Sequence, residues 1–274
     1  MSEFQYYEFQ TIDRPLTRTE MAELRRYSTR ARITPTSFVN DYQWGNFKGD
    51  QDAWMERYFD AFLYLANWGT RMLAFRLPAA RLRATVAKSY CRGGCATTRS
   101  RGGQVVLTFV SETDDGDELC ETEGQLSSMI SIRSELAHGD LRALYLGWLL
   151  RLQSGELSDD DLEPQVPAGL GQLNGALQAM TEFLRIDEAL LATAAEHSPS
   201  ATRRTLKRSD IDQRVHELPL RVKEKALADY IAGKPSALQR VLDAVLEPAT
   251  SDSVGAGAPR RTAEQLIRAA GLSV

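Results

Sequence analysis

Two hydrophobic rhythms divide the chain. Over residues 1–112 short apolar runs alternate with stretches of helical spacing, and beyond residue 125 helical spacing takes over. Residues 4–10 are rich in aromatics and read as a strand. Thr17-Arg18-Thr19-Glu20 has the spacing of a capping box, and Met21, Leu24 and Tyr27 continue it as one helix face. Residues 33–44 read as β structure, followed by a loop at Gly45-Asn46 and Gly49-Asp50. A short helix over 54–59 leads into a strand over 62–68, Gly69 interrupts it, and 72–77 forms a further strand. Pro78 opens a helix over 79–90, and 105–110 supplies the last strand. The order βαβ(α)ββαβ predicts an α+β fold, a ferredoxin-like two-layer sandwich with one extra strand.

The second rhythm predicts an all-α region. Leu141, Leu144, Tyr145, Leu146, Trp148, Leu149, Leu150 and Leu152 surround the axis of one helix, which must therefore be covered on nearly every side. Further helices are expected near 170–184, 187–196, 209–217, 220–232 and 235–246. Residues 248–259 are a Pro/Gly/Ala/Ser linker expected to be flexible. Beyond it, Ala263, Leu266, Ile267 and Ala270 mark one face of a tail helix too short to stand alone. Leu266 and Ile267 would dock this tail back on the chain or on a partner. The division expected is a sandwich domain over 1–112, an acidic connector over 113–124, a helical domain over 125–246, and a linker with its tail over 247–274.

Charge changes the picture locally rather than globally. The net charge of −4 with a pI near 5.6 excludes a globally basic nucleic-acid binder. Residues 71–110 nevertheless carry eight basic side chains and no acid, and the next 14 carry seven acids and no base. Such segregation makes a phosphate-binding face, an intramolecular pairing, or an ordinary solvated surface. The N-terminus lacks the basic and apolar regions of a secretory signal, and no apolar stretch is long enough to span a bilayer. Three cysteines, Cys91, Cys95 and Cys120, form no secreted-disulfide framework. The expectation is a soluble cytoplasmic protein, with no membrane partner.

Candidate chemistry is thin. Cys91 and Cys95 lack a second close pair of ligands, so no metal is expected. His138, His197 and His216 are isolated, there is no Gly-x-Ser-x-Gly elbow, and Gly169-Leu170-Gly171 follows prolines instead of a strand. No catalytic residue and no cofactor are assigned, and an enzyme is not the expectation.

Two strands sort their side chains by kind. Phe38, Tyr42 and Trp44 share one parity, and Phe62, Tyr64 and Trp68 share another, opposite Leu63 and Leu65. One sheet face is then aromatic and the other aliphatic. The aromatic face is either a stacking platform for RNA or the seam against the helical domain, and the seam is the expectation. Arg81, Arg83, Arg99 and Arg101 with Tyr42, Trp44, Tyr64 and Trp68 are the candidate nucleic-acid or partner-binding residues. The leading function is a non-catalytic interaction or regulatory protein that recognises a protein partner. The alternatives are a nucleic-acid-associated protein, or an enzyme with a site assembled between the domains.

The strings QYYEFQTIDRPLT (5–17), FVNDYQWGNFKGD (38–50), FDAFLYLANWG (59–69) and LRALYLGWLL (141–150) resemble an uncharacterised family of bacterial proteins. The resemblance spans both proposed domains to about residue 246 and implies a bacterial source. No activity is assigned to that family, so it assigns no site residue here.

Overall fold

The computed structural model describes residues 3–43, 45–114, 124–200, 208–231 and 260–272. The fold is α+β. Its first part runs β1 (Gln5–Gln10), α1 (Arg18–Arg25), β2 (Arg32–Thr34), β3 (Ser37–Tyr42), α2 (Gln51–Arg57), β4 (Ala61–Ala66), β5 (Arg71–Pro78), α3 (Ala84–Lys88), β6 (Ala96–Arg101) and β7 (Gln104–Ser111). These strands form one seven-stranded antiparallel sheet in the order β2-β3-β1-β4-β5-β7-β6. The helices α4 (Gln125–Met129), α5 (Ser131–Ala137), α6 (Arg142–Gln153), α7 (Gly175–Leu184), α8 (Glu188–Ala195), α9 (Arg208–Glu217), α10 (Leu220–Ile231) and α11 (Ala263–Ala269) follow.

The sheet holds two strands more than the hydrophobic pattern suggests. The β-rich stretch over 33–44 is a hairpin, because Pro35 and Thr36 turn the chain and Thr34 Oγ1 accepts from the Thr36 amide at 3.2 Å. The other addition, β6, reads Ala-Thr-Thr-Arg-Ser-Arg and lies on the sheet edge, where polar and charged side chains are the rule. The helix expected from residue 79 is only the short α3.

Crossover geometry decides which helix covers which face. Strands β1 and β2 run parallel with β3 between them, β3 and β4 run parallel with β1 between them, and β5 and β6 run parallel with β7 between them. The first two connections move along the sheet in opposite senses from oppositely directed strands. One common hand therefore puts α1 and α2 on the same face. The third moves the other way from a strand parallel to β1, so α3 must lie on the opposite face.

The side chains agree. Leu24 of α1 and Trp54 and Met55 of α2 pack with Tyr7, Phe9, Phe38, Phe62 and Tyr64. Ala87 of α3 packs on the other side with Leu63, Leu73, Phe75, Leu107 and Phe109. The expected seam is thereby reversed. The aromatic face lies under α1 and α2, and the aliphatic face carries the later helices. Leu144, Tyr145, Trp148 and Leu184 share one continuous core with Leu63, Leu73, Phe75 and Phe109. Helix α6 is buried on almost every side, as its all-round apolar pattern requires. Gly147 allows this approach, since a Cβ there would stand 2.8 Å from Cys91 Sγ and 2.5 Å from the Phe109 ring.

A buried ion network closes one end of the sheet. Asp60, almost fully enclosed, accepts the amides of Ile12 and Asp13 on Oδ2 at 2.6 and 2.9 Å. Its Oδ1 takes the Arg76 guanidinium at 2.7 Å, with Arg133 at 3.7 Å. Arg133, reaching in from α5, donates to Arg76 O and to Asp13 Oδ2, each at 2.6 Å. Arg76 also donates to Glu56 O on α2 at 2.7 Å. Elements from both sides of the sheet, α5 through Arg133 and α2 through the Glu56 carbonyl on Arg76, thus join one network around Asp60.

Candidate interaction surfaces

The basic band is already engaged at its exposed end. Arg99 and Arg101 project from β6 toward α2, where Arg99 makes a two-pronged pair with Asp52 and Arg101 bonds Glu56 at 2.9 Å. Together with Ala53, Arg57, Gly102, Gln104 and Val106 these groups line a cleft of about 490 Å³ between α2 and the β6–β7 edge. Arg83 is exposed at the start of α3, and Arg81 is half-buried in the preceding turn. The arginines therefore do not converge with the aromatic candidates on one open surface.

Those aromatics scatter further. Tyr64 is buried and donates to Gln5 Oε1, which also accepts from Tyr7. Burial pushes the Tyr64 hydroxyl up to about 12 and Tyr7 higher still, so both stay protonated donors. Tyr42 is half-buried at the edge of Tyr7, with ring centroids 5.7 Å apart. Trp44 lies outside the described residues.

Among the described members of the set, Trp68 alone shows a large exposed apolar surface, 44%. Its turn is pinned: Gly69 sits at φ +100°, a Cβ there would lie 2.1 Å from Thr113 O, and Arg185 donates to Gly69 O at 3.0 Å.

Burial keeps the two described thiols protonated. Cys91 is fully buried beneath α6, and burial holds its thiol far above the ordinary range. Burial, with Glu156 adding to it, pushes Cys95 up to about 11. Both are free, and Cys120 lies outside the described residues. Cys95 is therefore expected to alkylate slowly at pH 7.5 in the folded protein. It should react much faster once unfolded, where thiols titrate near about 8.5. Peptide-resolved mass spectrometry over a pH series checks this, and rapid native labelling at neutral pH would contradict it. Among the described residues no three His, Cys, Asp or Glu side chains cluster as metal ligands. No helix among them is long and apolar enough to cross a membrane.

The tail docks on its own chain. Thr262 bridges Leu162 as a two-stranded contact, with Glu163 N donating to Arg261 O at 2.8 Å and Ala263 N to Asp161 O at 2.9 Å. The buried Glu163 carboxylate receives the Arg261 guanidinium through two bonds of 2.9 Å, and also the Tyr145 hydroxyl. Arg261 donates once more to Thr193 O on α8 at 3.1 Å. Thr262 and Gln265 close a capping box, Leu266 is fully buried, and Ile267 packs against the same core.

No family model, curated protein or solved structure matches this chain. The functional reading rests on geometry.

The residues of segment 201–259, here the arm, are flanked by residues held close to α8. Before them, Ser198 Oγ bonds Pro167 O at 2.7 Å and Gly169 N bonds Pro199 O at 2.9 Å, just past α8. After them, Arg261 is back on α8. Within this arm, α10 presents Leu220, Leu227 and Ile231 at 69, 60 and 77% exposure, and Val215 of α9 is also exposed. Four of the seven exposed large apolar side chains among the described residues thus sit on the arm, which marks it out from the closed core. The hydrophobic pattern had nominated none of them. Their signal was present in the spacing of seven and four between Leu220, Leu227 and Ile231, which is one helix stripe.

Proposed function

We propose that this chain is a non-catalytic interaction protein that recognises a protein partner, and that the α10 face is the recognition surface. The observation that carries the reading is the stripe Leu220, Leu227, Ile231, exposed on the segment between two anchors, Ser198-Pro199 on the 167–169 loop and Arg261 on α8. An amphipathic helix face of this kind is the element that packs into an apolar groove on another protein. The nucleic-acid alternative draws less support. Arg99 and Arg101 are already matched by Asp52 and Glu56, and Phe38, Phe62 and Tyr64 are covered. Reduced thiols at Cys91 and Cys95 fit the cytoplasm as the compartment. The elements β1-α1-β2-β3-α2-β4 are read as a ferredoxin-like unit, since their strands lie in the order β4-β1-β3-β2 with both helices on one face. The rest of the sheet extends that unit.

A diazirine analogue of leucine placed at position 227 of the full chain tests the reading. Irradiation in cell extract is expected to give a discrete protein adduct at that position. Cross-links confined to peptides of the same chain, or an adduct with nucleic acid, would overturn it.

A further inference from the structure

We infer that the protein partner seats α10 in an apolar groove carrying a cationic side chain, Lys or Arg, that faces Glu224. The inference rests on the reading of α10 as a protein-binding surface and names the chemistry of what binds it.

Helix geometry brings Glu224 into any contact the stripe makes. At about 3.6 residues per turn, Leu220, Leu227 and Ile231 fall within an arc of about 40° around the axis, and Glu224 lies about 20° from its edge. Along the axis Glu224 stands about 6 Å past Leu220 and about 4.5 Å short of Leu227. A helix face that packs on a protein spans about 100° or more, so this carboxylate enters the interface with its apolar neighbours.

The carboxylate arrives unmatched. Glu224 is exposed and makes no ion pair or side-chain hydrogen bond among the described residues. Lys223, on the other border of the stripe, already donates to His216 O in the last turn of α9 at 2.8 Å. Arg221 and Lys225 are exposed about 60° and 100° further round the axis than Glu224, away from the three apolar side chains.

A groove that takes up Leu220, Leu227 and Ile231 strips water from Glu224 as well. A charge removed from water is heavily disfavoured unless an opposite charge meets it. A wholly apolar groove would bury the carboxylate unpaired. The phosphates of a nucleic acid or an anionic membrane would set like charge against it. A groove with one cation at this point meets both demands of the face.

Charge variants of the full chain carrying the diazirine leucine at position 227, irradiated in cell extract, supply the test. Glu224→Lys is expected to cut the yield of the protein adduct at least about tenfold, because two cations then face each other across the interface. Glu224→Gln, which keeps the shape and drops the charge, should fall between Glu224→Lys and wild type. Lys225→Glu, a reversal of the same size away from the stripe, should leave the yield nearly unchanged. The cross-linked surface of the captured protein should hold a Lys or Arg whose reversal to Glu restores the yield with Glu224→Lys.

Wild-type yield from Glu224→Lys, an equal loss from Lys225→Glu, or no restoration by the reversed partner would overturn the cation and leave the reading of α10 standing. If the chain with Glu224 intact cross-links only within itself or to nucleic acid, the reading of α10 fails and the cation with it.

Discussion

Asp60→Ala is expected to destabilise the fold by about 3–5 kcal/mol, the range for removing one partner of a buried ion pair. The carboxylate is 1% exposed and its partners Arg76 and Arg133 are 12% and 10% exposed, so Arg76 would lose the carboxylate it pairs with and Arg133 would keep Asp13 but lose Asp60. The amides of Ile12 and Asp13 would lose their acceptor as well. Asp60→Asn keeps an oxygen for those amides but removes the charge, and should fall between wild type and Asp60→Ala. Urea unfolding followed by tryptophan fluorescence reads the difference. A loss below about 1 kcal/mol for Asp60→Ala would mean that the network forms no cooperative part of the fold.

Phe62→Ala is expected to cost about 3–5 kcal/mol, because it opens a cavity in the aromatic layer under α1 and α2. Phe62 is 1% exposed and stacks on Phe9 with ring centroids 4.3 Å apart and planes at 28°. Phe9 in turn meets Trp54 and Phe59, which leaves these neighbours little room to collapse into the gap. Tyr64→Ala, nearer the rim and 9% exposed, should cost less. Unchanged melting of Phe62→Ala would mean that this face is an open platform rather than a packed layer.

These residues mark where sequence reasoning succeeds and where it stops. Alternation over Phe62-Leu63-Tyr64-Leu65 identified two faces of different kind, because parity is a local property of a strand. Parity cannot say which helix lies over which face. That follows from strand order and crossover direction, which involve Tyr7, Phe38 and Phe62 at once. The capping box at Thr17 and Glu20 was legible because it spans only four residues, and it is present.

Pairs far apart in the chain were not legible. Arg99 finds Asp52 at a separation of 47 residues, and Arg261 finds Glu163 at 98. In sequence these arginines look unmatched. Strand β6 was hidden for a different reason: a polar sheet edge carries no hydrophobic period to detect. The α10 stripe had the period but no sequence signal that its apolar side faces solvent, since exposure depends on what the rest of the fold leaves uncovered.

The central claim is that the face formed by Leu220, Leu227 and Ile231, uncovered among the described residues, is a surface for a partner. Its most direct test is the unfolding free energy of the combined variant Leu220→Ser/Leu227→Ser/Ile231→Ser against wild type. It is measured at sub-micromolar concentration, where association adds little to apparent stability. The account expects the two to agree within about 1 kcal/mol, as exposed substitutions do. A loss of about 2–5 kcal/mol for each apolar side chain removed would place the stripe inside the chain's own core and contradict it.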